Sequence, residues 1–411
     1  MQLPQKTKEI FNKYLRPRTV GASIITGAAD NDPSGITTYA QIGAATGFSL
    51  LWLLALSTVL LYTLEEMAGR VAIVTKQGLN SLVSQKFGKK TAILTSIIIM
   101  LCNTATIGAN IVAISTVISL LLPISNRLLI IPITILLAYL LVSKSYHKVR
   151  IYLLFLTPLF LVYVVAGFFA QPDWTNLFQN IINPSILNSA NYWILAAALL
   201  GTTLSPYLIY WQGIQELEEQ KTIDELDQEN KGVAIGMIYT NLIAFFIIVA
   251  TAAALFPTPI QTLKEAALGL QFIAGTGFTT YLLFSFGIII SGMLSIPVLA
   301  STASYTMADT FGLISGLDKK YSEAKSFYII LLSSLAIGTF IALSGINPIN
   351  LLIYTQVLNS LLMPILVFIL LKISNDTMIM GSYKNSFTKN FFGWLIFASF
   401  ILVDILMLAS L

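Results

Sequence analysis

Apolar residues fill most of this chain in stretches long enough to cross a bilayer, parted by short polar joints. Spanning a hydrocarbon core takes roughly 20 apolar helical residues. By that measure eleven segments are predicted, at 20–45, 48–75, 90–120, 127–143, 150–170, 192–217, 232–256, 278–310, 326–344, 348–372 and 391–410. The joints leave no room for a separate soluble domain.

Two of the segments are interrupted. Asp30-Asn31-Asp32-Pro33-Ser34-Gly35 breaks the first, and Thr202-Thr203-Leu204-Ser205-Pro206-Tyr207 breaks the sixth. A carboxylate at that depth is expensive, and irregular backbone survives there only where it lines a protein cavity. Paired breaks in corresponding places of two halves point to the binding site of a transporter. The expected organisation is a cytoplasmic N-terminal segment (1–19), a first five-helix repeat (20–170), a second (192–372) and an eleventh helix (391–410). The halves share no convincing sequence identity, so the repeat rests on topology and on the paired breaks.

Composition agrees with this pattern. The 411 residues are 56% hydrophobic and 10% charged, against about 25% charged for soluble domains. A net charge of +4 argues against a nucleic-acid partner. Cys102 is the sole cysteine, which excludes a disulfide framework and reads as a packing residue. All of the 23 Lys and Arg residues except Arg127 and Lys264 fall on one side of the predicted topology. That bias places the N-terminus in the cytoplasm and the C-terminus outside, in a bacterial-type plasma membrane. The first 18 residues are polar and basic, with no cleavable apolar stretch behind them, so the first span doubles as the targeting signal. The mixed-charge run from Glu216 to Lys231 reads as a solvated helix end with its loop, or as a regulatory cation sensor.

Three motifs in order then carry a resemblance. The first is Asp32-Pro33-Ser34-Gly35, continuing through Tyr39-Ala40-Gln41-Ile42-Gly43 to Gly47-Phe48-Ser49-Leu50-Leu51-Trp52. The second runs Glu65-Glu66-Met67-Ala68-Gly69-Arg70-Val71-Ala72-Ile73-Val74-Thr75, and the third is Gln356-Val357-Leu358-Asn359-Ser360 with Met380-Gly381. Together they resemble helices one, two and ten of the Nramp family of divalent-metal transporters. The resemblance implies an all-α LeuT-type fold of inverted five-helix repeats, with helices one and six broken. It also implies alternating access around a metal site at the midplane, with a transported divalent cation and no permanently bound cofactor.

The departures matter as much as the matches. In that family an Asp and an Asn of helix one, with a Met and a backbone carbonyl of helix six, hold a transition metal. Here the resemblance puts Asp32 at the Asp, Gly35 at the Asn, Ser205 at the Met, and Thr202 or a neighbour at the carbonyl; Gln356 matches a glutamine that approaches the ion. A thioether favours late transition metals, whereas carboxylate, hydroxyl, carbonyl and water suit Mg, Ca and Mn. Losing Met hardens the site and losing two side chains enlarges it, which suits a cation that keeps several waters. This resembles the Nramp-related magnesium transporters, so Mg²⁺ is expected, with Mn²⁺ the alternative. The family's proton route uses a His after the helix-six proline and an acid in helix three. Tyr207 stands at the first position, the helix-three region around Asn103 holds no acid, and the sole histidine is His147 in an inner loop. Uptake without a coupled proton is therefore expected, Asp30 or Asp32 being the alternative proton carriers.

Each residue also has a plainer reading. Asp32 caps the second half of helix one. Asp30 lines the inner vestibule or faces a structural partner, and Asn31 is a satisfied polar group on the pathway. Ser205 bonds a carbonyl one turn back, Tyr207 is packing with a wet hydroxyl, and Gln356, Asn359 and Ser360 form a polar stripe that joins helices. Glu66 and Arg70 have the spacing of an ion pair. Asn103, Thr104, Thr106 and Asn110 bond between helices, and Asp404 has no motif to explain it. Rival functions are a proton-coupled Mn²⁺ or Fe²⁺ carrier, a carrier of an amine-bearing solute, and a receptor that binds without moving its ligand. An enzyme is excluded for want of a nucleophile with a base or a histidine-rich metal site. Nothing demands an oligomer, so the expected partners are the metal ion and lipid.

Overall fold

The computed structural model describes residues 30–143, 156–187 and 189–411. The N-terminal segment, the first half of the first predicted span, His147 and the start of the fifth span lie outside the described residues. Among those described, every regular element is helical. The α-helices longer than one turn are, in chain order, α1 (Pro33–Thr46), α2 (Leu51–Thr75), α3 (Leu79–Phe87), α4 (Lys89–Leu121) and α5 (Asn126–Val142). There follow α6 (Leu161–Phe169), α7 (Trp174–Ile182), α8 (Ala190–Thr203), α9 (Pro206–Glu218) and α10 (Leu226–Leu255). The chain ends with α11 (Phe278–Phe311), α12 (Lys325–Ala342), α13 (Pro348–Ser374) and α14 (Phe387–Ser410).

Eight stretches among the described residues are long and apolar enough to cross a membrane, α8 and α9 counting as one. The remaining predicted segments coincide with α1, with α5, and with α6 and the 3₁₀ turn Thr157–Phe160 before it. Within the described residues these are shorter than a full span, so length establishes eight crossings there and leaves the other three unestablished. Two connections expected to be plain loops contain short helices, α3 and α7. Each has nine residues, too few to leave a spanning signal in the hydrophobic pattern.

The bundle is knit by α11 along α4, α10 along α1, α13 along α8, and α12 against α4. Without a hydrophobic drive between helices in lipid, close backbone approach at small residues supplies the contact. The tightest approach matters for function. A methyl group on Gly201 of α8 would stand 1.9 Å from the Gln356 carbonyl oxygen of α13. Gly43 similarly lets α1 lie on α10, where a methyl would meet the Ile248 carbonyl oxygen at 2.3 Å.

The connections sort into two ends. At one, Glu66 pairs with Arg70 at 2.8 Å as the spacing predicted, Lys389 joins Glu66 at 2.8 Å, and Arg70 reaches Asn385 at 2.6 Å. Lys86 pairs with Asp376 there, and Lys76 donates to the Lys221 carbonyl. At the other end the Ile260 amide donates to Gln41 at 2.7 Å and Asn347 to the Gln261 carbonyl at 3.3 Å. The run from Glu216 to Lys231 corrects the sequence reading in part. Asp224 and Asp227 are exposed, but Glu216, Lys221 and Glu229 are buried, because Lys221 folds back onto Glu229. Cys102 is buried as a packing residue.

Gly201→Ala is expected to overpack the contact of α8 with α13 and destabilise the fold by about 1–3 kcal/mol. A melting temperature in detergent equal to that of the native protein would show the approach to be looser than described.

Candidate functional site at the paired helix breaks

The first break is made by local chemistry. Pro33 opens α1 at a position where its missing N–H leaves no bond unmade, and extended Asp32 caps the helix by accepting from the Gly35 amide at 2.6 Å. The other carboxylate oxygen of Asp32 accepts from Asn110 of α4 at 2.8 Å. A carboxylate has about four lone-pair sites, so capping leaves capacity for a further partner. Asn110 also takes the amide of Ser34 at 3.2 Å and its hydroxyl at 2.7 Å, and donates to Ser295 of α11 at 3.3 Å. One asparagine thus ties the broken helix to two others.

At the second break Pro206 has no N–H to offer the Thr202 carbonyl. The Ser205 hydroxyl substitutes, donating to the Thr202 and Gly201 carbonyls at 2.9 Å each. The plainer reading of Ser205 is therefore realised, although its oxygen keeps its lone pairs. The two breaks meet at Gly35, where a methyl group would lie 2.9 Å from the Thr202 hydroxyl and 3.2 Å from Asp32. Glycine is needed there to admit both.

Other expected residues are distributed unevenly. Asp30 is buried, with one oxygen accepting from Thr240 of α10 at 3.3 Å and the other without a partner among the described residues. Asn31, expected to be satisfied, is fully buried with neither side-chain atom bonded to any described residue. Its position in the break, where no regular ladder surrounds it, is the physical reason. Tyr207 is buried and lies within electrostatic range of Asp30, Asp32 and Glu65. Gln356 reaches the second break through the Gly201 contact, while its side-chain oxygen accepts from Asn359 at 3.0 Å. Asn103 donates to the Leu299 carbonyl of α11 at 2.8 Å, two turns along α4 from Asn110. Thr104 and Thr106 bond carbonyls of their own helix, against the interhelical expectation. Asp404 gains an account, since Ser360 donates to it at 2.7 Å and joins α13 to α14.

Two signals escaped the sequence reading. Asn110 was grouped with the helix-joining residues, whereas its chief partner is Asp32. Glu65 entered only as part of a motif, yet it is fully buried, with neither oxygen partnered among the described residues. A cavity of about 570 Å³ opens at the basic end, bordered by Tyr210, Glu218, Tyr305 and Asp309. Another of about 490 Å³ lies at the opposite end beside Phe48, Asp173 and Phe256. Residues of the breaks line neither.

Two broken helices packed against each other around a buried carboxylate, in an all-helical membrane bundle, have the form of a transporter's binding site. The chain belongs to the Nramp family, whose profile, described as natural resistance-associated macrophage protein-like, matches residues 23–410. The divalent metal cation transporter MntH of Erwinia tasmaniensis is 26% identical over 401 residues, 94% of this chain and 92% of that protein. Its namesake in Bacillus subtilis is 22% identical over 402 residues, 95% and 92% of the two chains. The manganese transporter of Eremococcus coleocola has the same fold with a TM-score of 0.76 and 17% identity, over 100% of this chain and 88% of the other. MhsT, crystallised with L-phenylalanine, follows at 0.61 and 12%, over 95% and 98%. The fold is thus LeuT-like.

Asn110→Leu strands an oxygen of Asp32 and both polar groups of Ser34. A loss of about 1.5–3 kcal/mol is expected from unmaking a hydrogen bond to a buried charge. An unshifted melting temperature in detergent would mean that Asn110 does not hold the break.

Proposed function

We propose that this protein carries a divalent metal cation into the cytoplasm by alternating access, Mg²⁺ in preference and Mn²⁺ in second place, without a coupled proton. The observation that carries the reading is the make-up of the paired breaks. Asp32 and the Thr202 hydroxyl meet across Gly35, and the Ser205 hydroxyl sits on the Thr202 carbonyl, with oxygen in place of the thioether expected of the family. Such donors select hard cations, and Mg²⁺ binds through one or two carboxylates while retaining waters. Asp30, Asn31, Gln356 and Tyr207 flank the path, and Asn103 serves it through the α4–α11 contact. The relatives named as divalent metal and manganese transporters support the cation class.

Two charges moving through about 100 mV of inside-negative potential gain roughly 4–5 kcal/mol, enough to drive uptake alone. The reading includes eleven crossings in two inverted repeats, a cytoplasmic N-terminus, an external C-terminus and a monomer in the plasma membrane. The gathering of Lys76, Lys86, Arg70 and Lys389 at one end supports that orientation. A proton-coupled Mn²⁺ carrier is the second reading, favoured by the unpartnered oxygen of Asp30.

Uptake into liposomes under an inside-negative potential, with an internal pH dye, separates the two. Mg²⁺ entry without acidification is expected; Mn²⁺ entry with acidification and no Mg²⁺ flux would establish the second reading. Asp32→Ala should abolish flux in a monodisperse protein, and persistent transport would remove Asp32 from the site. Ser205→Met should raise the preference for Mn²⁺ and Cd²⁺ over Mg²⁺, and an unchanged ratio would refute selection by ligand softness.

A further inference from the structure

Glu65 is the least explained group in the molecule. It lies in α2 ten residues before the helix end, fully buried, and no described residue bonds either oxygen. An ionised carboxylate so placed costs several kcal/mol unless a cation accompanies it.

Its surroundings point the same way. Gly69, one turn along α2 on the same face, abuts α9: a methyl there would touch Gln212 Cγ and Glu216 Oε1, both at 3.4 Å. Gln212 donates its amide to Glu216 at 2.6 Å, and its carbonyl oxygen is buried without a partner. Gln212 is neither acidic nor titratable, so its unpaired oxygen is an observation independent of the carboxylates, and an amide oxygen is a hard-cation ligand. Asp30 and Glu65 lie within electrostatic range of each other, as do Glu65 and Glu216. The nearby Lys221 is held by Glu229 and Glu219. Arg70, on the same helix, is engaged by Glu66. Asp32 and Asp30, Asp30 and Glu65, and Glu65 and Glu216 are thus successive electrostatic neighbours, and Glu216 stands two residues before the end of α9, where the basic connections gather.

We propose that Glu65, Gln212 and Glu216 form a second cation station on the cytoplasmic side of the breaks, which receives the divalent cation with part of its water shell from Asp30 and Asp32. This rests on the reading of the protein as a metal carrier. Among the described residues no three carboxylate, imidazole or thiolate groups converge as a closed metal site. The station therefore holds its ion through two carboxylates, one amide oxygen and retained water, as Mg²⁺ is commonly held. Weak, water-rich binding also suits an ion that must leave.

Mn²⁺ serves as the probe, bound to the purified full chain in detergent and counted by electron paramagnetic resonance of the free ion. Asp32→Ala is expected to keep one weaker Mn²⁺ site, and Glu65→Gln with Glu216→Gln to remove that site while leaving the one at the breaks. Gln212→Leu, which changes no charge, should weaken the station roughly tenfold, and it provides the test if the double variant does not fold. An Asp32→Ala protein that binds no Mn²⁺, or a Gln212→Leu protein with unaltered affinities, would overturn the station. So would a Glu65→Gln protein that binds metal normally but loses a pH dependence of uptake, since Glu65 would then carry a proton. Liposome flux of the native protein separates the two ideas: Mg²⁺ or Mn²⁺ uptake with no second site sinks the station alone, and absence of both fluxes sinks the functional reading.

Discussion

The fold depends on satisfying one carboxylate in a place where water is scarce. Asp32 ends the run of helix at the first break, and its two oxygens are met by the Gly35 amide at 2.6 Å and by Asn110 at 2.8 Å. A buried charge left unpaired destabilises strongly. Asn110 is therefore a constraint on three helices, since it binds Asp32 and Ser34 on α1 and Ser295 on α11 while belonging to α4. Remove it and the broken helix has no fixed seat.

Small residues make that arrangement reachable. Gly201 lets α8 rest its backbone on Gln356, and Gly35 lets the two breaks touch through the Thr202 hydroxyl. Bulk at either point would force the two breaks apart. Between α2 and α9, Gly69 plays the same part by admitting Gln212 and Glu216 against the α2 backbone. Glycine thus keeps oxygen atoms adjacent across helix boundaries, in a medium that offers helices no hydrophobic reason to associate.

Charge placement completes the picture. The ion pairs Glu66–Arg70, Lys389–Glu66 and Lys86–Asp376 lock α2, α3 and α14 at one end. None involves Asp30, Asp32 or Glu65. The lysines and the arginine of that end are thereby engaged by other carboxylates, and no described ion pair neutralises Asp30, Asp32 or Glu65.

The helices were legible in the sequence because their signal is local. Apolar runs of spanning length, Pro33 and Pro206 at the breaks, and the i,i+4 spacing of Glu66 and Arg70 need no partner to be read. Asp32 stood out for the same reason, as an acid inside an apolar run. Short α3 and α7 were missed because nine residues carry no spanning signal. What joins one helix to another was not legible. Nothing near Asn110 in sequence distinguishes it from Asn103, yet one binds Asp32 and the other the Leu299 carbonyl. Asn31 looked satisfied and finds no partner among the described residues, and Glu216 looked solvated and is buried. The sequence by itself determined the class of protein and where its helices break, because bilayer thickness and proline chemistry act along the chain. Only the tertiary structure decided which polar groups have partners, because that depends on contacts between residues far apart in sequence.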